Sequence, residues 1–302
     1  MRILRTPDHC FAGLPDWPYR PRYVDVPALD GSSIPLRVHY VDEGPPRGAP
    51  VLLLHGEPTW SYLYRHIIGG LIQRGHRVLA PDLVGFGRSD KPALPSDHTF
   101  ARHVAWMAHA LFDGLNLHDV VLFGQDWGGM IGLRLVAASP ERFRRVVLAN
   151  TGLPTGETAL SRDFLKWQTF AATAPVFDAG AVVALGTQRP IDPAVQAAYN
   201  APFPDETYQA GPRTLPSLVP TTPDDPATAE QRQAWQALSR FRRPVLTAFS
   251  DRDPITRGGD EPFLAAFPMT QRTTIEGAGH FLQEDAAERI VEVIGAFIEV
   301  TS

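Results

Sequence analysis

An α/β architecture is expected of this chain: a mostly parallel sheet with helices on both faces, interrupted by an inserted helical cap. Apolar strand-like runs alternate with stretches of helical period, the pattern of repeated strand–helix units. The run Pro50-Val-Leu-Leu-Leu54 is apolar throughout, which suits a strand buried on both faces. From 155 to about 228 the alternation lapses, strand signals disappear, and seven prolines fall between Pro202 and Pro226. We therefore divide the chain into 1–154 (main domain, first part), 155–228 (cap) and 229–302 (main domain, second part).

Each element follows from local composition. The strand at 50–54 ends in the loop His55-Gly-Glu-Pro-Thr-Trp60, and a helix is expected from about Tyr62 to Gln73, closed by Gly75. Arg77-Val-Leu-Ala80 is the next strand. Val104, Met107, Leu111 and Leu115 recur at helical spacing before the strand Val120-Val-Leu-Phe123. A helix from about Trp127 to Ala138 stops ahead of Pro140, because the residue before proline disfavours the α region. Arg145–Ala149, Pro244–Phe249 and Arg272–Ile275 are strands, and Ile290, Val293, Ile294 and Phe297 mark one face of a final helix from about Asp285 to Val300.

Bulk properties exclude several classes. With 302 residues, 44% hydrophobic and 20% charged, the composition is that of a globular protein. Net charge is −5 and no Lys/Arg run resembles a nucleic-acid or membrane patch. No apolar run reaches transmembrane length, and the first residues lack a signal-peptide core. Cys10, the lone cysteine, cannot form an intramolecular disulfide, which favours a reducing cytoplasm. No His pair has i,i+4 spacing and no Cys cluster exists, so no metal is expected.

The most informative segment is Gly124-Gln-Asp-Trp-Gly-Gly129 after an apolar strand. Small residues on either side of one central side chain suit a strained strand–turn–helix elbow that pushes that side chain above the sheet. Serine usually occupies the tip; here it is Asp126. A carboxylate with a reference pKa of about 3.9 is ionised at neutral pH and attacks without a base. Attack on an sp³ carbon bearing a leaving group would give an alkyl ester, and a histidine is then needed only for its hydrolysis.

Candidate partners lie in loops after later strands. Ser250-Asp-Arg-Asp-Pro254 follows one, and Glu276-Gly-Ala-Gly-His280 follows the last. Asp126, an acid and His280 then run in the order nucleophile–acid–histidine of the α/β-hydrolase fold. Asp253 is the chosen acid, with Asp251 the alternative. In that fold the His55-Gly-Glu-Pro loop and the residue after the nucleophile supply oxyanion-hole amides, here the backbone N–H groups of Glu57 and Trp127. Gly85-Phe-Gly-Arg-Ser89 lacks the third glycine of a phosphate loop, since Asp90 occupies that position. The indole N–H of Trp127 could stabilise a departing anion. Phe164 and Trp167 share a helix face, and on residue type alone packing explains Trp167 better than catalysis.

Together these residues are similar to the haloalkane dehalogenases, and most of all to the subfamily whose halide-stabilising pair is a tryptophan after the nucleophile and another in the cap. The matching residues are His55-Gly-Glu-Pro-Thr-Trp60, the elbow, Phe164-x-x-Trp167, Asp253 and His280, with Arg5-Thr-Pro-Asp8, Phe11, Leu14, Pro21 and Tyr23 near the start. Epoxide hydrolases share the elbow and could use cap tyrosines such as Tyr199 or Tyr208. Glu57 discriminates, because an ionised carboxylate cannot donate to halide and the second donor must come from the cap. The resemblance implies displacement of halide by Asp126 while Trp127 and Trp167 hold the anion, with Phe164 in the substrate pocket. Water activated by His280, oriented by Asp253, then hydrolyses the ester. It implies no cofactor, a small halogenated alkane, water and halide as partners, a primary alcohol as product, and a monomer.

Overall fold

The computed structural model describes residues 1–46 and 48–301. Its main sheet has eight strands: β1 (Arg22–Pro27), β2 (Pro35–Glu43), β3 (Val51–Leu54), β4 (Val78–Pro81), β5 (Val120–Gln125), β6 (Phe143–Ala149), β7 (Val245–Ser250) and β8 (Thr270–Ile275). Their spatial order is β1-β2-β4-β3-β5-β6-β7-β8. The pairings β1/β2 and β2/β4 are antiparallel and all others parallel. The antiparallel pair was not anticipated. Its strands alternate buried Leu36 and Val38 with polar residues such as Arg37, the signature of a sheet edge with one wet face rather than of a continuous apolar run.

The central strands are buried on both faces, and their side chains divide by the period of two. Leu52, Leu54, Leu122, Val146 and Leu148 join the core beneath α2 (Phe100–Ala108) and α3 (Trp127–Ala138). Leu53, Val121, Phe123 and Val147 meet Ile67, Ile68 and Leu71, and Ile290, Ile294 and Phe297, on the other face. Those two sets come from α1 (Arg65–Gln73) and, near the chain end, from a helix over Ala287–Val300.

Between β6 and β7 the described residues form helices only: α4 (Arg162–Thr173), α5 (Ala179–Leu185), α6 (Pro193–Asn200), α7 (Ala210–Thr214) and α8 (Thr228–Leu238), with short 3₁₀ turns. α9 (Glu261–Ala266) links β7 to β8. Helix ends differ from expectation in three places. Ser61–Tyr64 is a 3₁₀ turn leading into α1, and α2 closes with a wide π turn over His109–Gly114. The final helix breaks at Ala286 (φ −143°) into α10 (Leu282–Asp285) and α11 (Ala287–Val300).

Candidate active site

The carboxyl ends of β3, β5, β6, β7 and β8 open towards one region, and their loops build the site. At the tip after β5, Asp126 adopts φ 52° and ψ −125°, a conformation rarely held by a non-glycine residue. The turn is possible because a Cβ on Gly128 would drive into the Leu54 carbonyl. Thr151 Oγ1 donates to the Asp126 carbonyl oxygen at 2.7 Å, fixing the turn from β6.

The loop after β3 closes on this side chain. The Glu57 amide donates to Asp126 Oδ1 at 2.8 Å, and no residue larger than glycine fits at 56, because its Cβ would strike the same carboxylate. His55 is structural: its Nε2 accepts from the Leu83 amide at 2.9 Å, so its Nδ1 carries the hydrogen offered to the Gly56 carbonyl. Trp127 opens α3, where the first amides of a helix lack intrahelical partners.

His280 faces Asp126 from the loop after β8. Its Nε2 lies 3.6 Å from Asp126 Oδ2, and its Nδ1 lies 2.9 Å from Asp253 Oδ2. The Asp253 carboxylate is fully buried and also receives the Ile255 amide at 2.8 Å and the Thr256 hydroxyl. Burial alone would push its pKa up, but the charge and hydrogen bond of His280 and the Thr256 hydroxyl outweigh burial and hold it below the usual value. Asp251 points elsewhere, accepting the Gly277 amide at 2.7 Å and contacting Arg252. Burial acts to lower the His280 pKa, yet Asp253 and Asp126 together raise it to about 10.

Residues not anticipated from the sequence hold this arrangement. Asn150, at φ 39° just beyond β6, donates to the carbonyls of Gly279 (3.0 Å) and His280 (3.1 Å). Gln125 reaches the His280 carbonyl at 3.2 Å, and Asp285 accepts the Gly279 amide at 2.8 Å. Asp285 also accepts the amides of Gln188 and Arg189 just beyond α5, tying that segment to the histidine loop. The signal available for Asn150 was its place immediately after the apolar strand end Val146-Val-Leu-Ala149.

A cavity of about 980 Å³ lies over these groups, lined by Glu57, Asp126, Trp127, Phe164, Trp167 and His280 among others. Phe164 and Trp167 do share the face of α4 that meets it. Trp127 packs against Phe100 with ring centroids 4.9 Å apart, and the Trp167 indole donates to Glu57 Oε2 at 3.1 Å. Tyr199 and Tyr208 are not among the lining residues, and the Tyr199 hydroxyl is committed to Glu284. Among the described residues no His/Cys/Asp/Glu group is placed to hold a metal ion, and no helix is long and apolar enough to cross a membrane.

A family model described as the alpha/beta hydrolase fold matches residues 49–287. The chain is 53% identical to a haloalkane dehalogenase of Psychrobacter cryohalolentis, across 99% of this chain and 98% of that one. A second haloalkane dehalogenase, from Mycolicibacterium paratuberculosis, is 50% identical, with 97% of each chain covered. Among solved structures, that of a haloalkane dehalogenase from Paraglaciecola agarilytica, described as tetrameric, superposes with a TM-score of 0.89 at 35% identity over 97% of both chains.

Proposed function

The chain belongs to the haloalkane dehalogenases of the α/β-hydrolase superfamily, and on that premise we propose that Asp126, His280 and Asp253 carry the reaction, with Trp127 and Trp167 as halide donors. The observation that carries this reading is a carboxylate at the elbow tip, with the ring of His280 on one side and the Glu57 amide on the other. Asp126 attacks the carbon bearing halogen, an alkyl ester forms, and halide leaves towards the two indoles. Water then adds to the ester carbonyl while His280 takes its proton, and the Glu57 and Trp127 amides receive the developing oxyanion. Ester collapse returns Asp126 and releases a primary alcohol, halide and a proton. The helical segment from 155 to 228 serves as the cap, and Phe164 lines the substrate pocket from it. All the residues named come from one chain, which acts as a cytoplasmic monomer in this reading. Halide release from terminal chloro- and bromoalkanes, with an epoxide as control, tests the reading; turnover of the epoxide alone would reject it.

Trp167→Phe separates packing from catalysis. Phenylalanine keeps an aromatic surface but has no N–H. Losing one donor aimed at developing charge typically reduces the rate by about 10²–10³, so dehalogenation should slow on that scale and bromide quenching of tryptophan fluorescence should weaken. Near-normal turnover and quenching in the folded variant would place the second donor elsewhere.

Cavity size predicts chain-length preference. Its volume lies at the upper end of typical ligand pockets of about 300–1,000 Å³, more than a two-carbon substrate fills. Each further methylene buried contributes up to about 0.8 kcal/mol, or ~4-fold in kcat/KM. We expect 1-bromohexane to exceed bromoethane by at least tenfold; equal values would show that most of the cavity is not used by the alkyl chain.

A further inference from the structure

We infer that the Glu57 side chain is a proton-dependent latch on the second halide donor: neutral, it lends the Trp167 indole a resting partner that halide can displace; ionised, it keeps the indole and excludes the anion. This rests on Trp167 donating to halide, as proposed above, and extends it to how that donor is held and released.

The geometry is specific. Glu57 is 3% exposed and lines the cavity with Asp126, Trp127, Trp167 and His280. Oε2 accepts the Trp167 indole N–H at 3.1 Å, while Oε1 is buried with no hydrogen-bond partner among the described residues. A backbone amide of the same residue holds Asp126 Oδ1, so the carboxyl cannot move far from the nucleophile. The donor expected to meet the leaving halide is therefore engaged by Glu57 Oε2. An unpartnered oxygen in such a place is far less unfavourable on a neutral acid than on a carboxylate.

Charge completes the argument. Burial first, and then the negative charge of Asp126, push the Glu57 carboxyl well above its ordinary value, against the opposing pull of the Trp167 hydrogen bond and the charge of His280. The charged groups that act on it are Asp126 on the elbow and His280 on the loop after β8; α4 acts on it through the Trp167 hydrogen bond and also brings Asp163 to the cavity lining. A neutral Glu57 gives up the indole for one ordinary hydrogen bond. An ionised Glu57 makes a charge-assisted bond, about twice as strong, and adds a second negative charge beside the incoming halide. Halide affinity must accordingly fall as pH rises through the Glu57 titration. His280, raised to about 10, stays cationic through neutral pH and does not supply that slope there.

The experiment is bromide quenching of tryptophan fluorescence between pH 5.5 and 9, in wild type, Glu57→Gln and Trp167→Phe. Wild type should lose at least tenfold in bromide affinity across that range. Glu57→Gln, always neutral and still able to accept the indole N–H, should bind with wild-type low-pH affinity at every pH. In wild type, a protonated-carboxyl infrared band should also shift on adding bromide, which tests the idea even if the glutamine variant fails to fold. A glutamine variant that keeps the pH slope, a wild type without one, or no bromide-sensitive carboxyl band would overturn the latch. Unchanged quenching in Trp167→Phe would instead overturn the halide-donor reading on which it depends.

Discussion

Replacing His280 with Gln or Phe should leave one round of halide release intact and stop the enzyme there, with the alkyl fragment added to the protein's mass. Steady-state turnover should fall by about 10²–10⁴, the usual contribution of a positioned general base. Asp126→Ala should abolish both the burst and the turnover. Intact-mass spectrometry after substrate addition distinguishes the steps. Stoichiometric halide without a mass gain would show that His280 does not divide the reaction in this way.

The electrostatics fit the proposed division of labour, in which one histidine is silent in the first step and needed in the second. With Asp126 and Asp253 both charged, the His280 ring is held protonated up to about pH 10 and is no base at neutral pH. Alkylation of Asp126, as proposed, would leave a neutral ester. One of the two carboxylates raising the His280 pKa then disappears, while burial, which lowers it, remains. The imidazole therefore becomes a competent base when the ester exists, provided that its extra proton leaves after the first step. In the same proposal Asp253, its pKa held low beside His280, would stabilise the imidazolium that forms as water is activated.

Much of this was legible in the residues. The elbow could be read because its glycines answer a steric demand that no other residue meets, as at Gly128 against Leu54. The central strands could be read because burial on both faces makes them apolar throughout. Two kinds of feature escaped. The antiparallel edge of β1 and β2 has one wet face and looks like polar loop. Asn150, Gln125 and Asp285 act through hydrogen bonds to the backbone of a loop more than a hundred residues away or on the next turn, and nothing in local spacing announces such a partner. The buried face of Glu57 escaped for a similar reason. Its sequence position suggested an amide donor and an ionised carboxyl, whereas burial raises that carboxyl's pKa and α4 brings Trp167 over it.

Acid assignment carries the second large effect. Asp253→Asn removes the charge 2.9 Å from His280 Nδ1 and replaces an obligate acceptor with an amide that can present its NH₂ instead. The analogous change in serine hydrolases lowers kcat by about 10⁴ through the wrong tautomer, and a loss on that scale is expected here. It should fall on ester hydrolysis, so the alkylated enzyme should accumulate as it does for the His280 variants. Asp251→Asn keeps an oxygen for the Gly277 amide and disturbs only an exposed contact with Arg252, so less than a tenfold change is expected, consistent with the small worth of surface ion pairs. Matching the two variants by circular dichroism and comparing their burst amplitudes and steady-state rates decides the matter. A larger loss at 251, or an Asp253→Asn enzyme that fails before halide release, would mean that the buried carboxylate serves the fold and not the imidazolium.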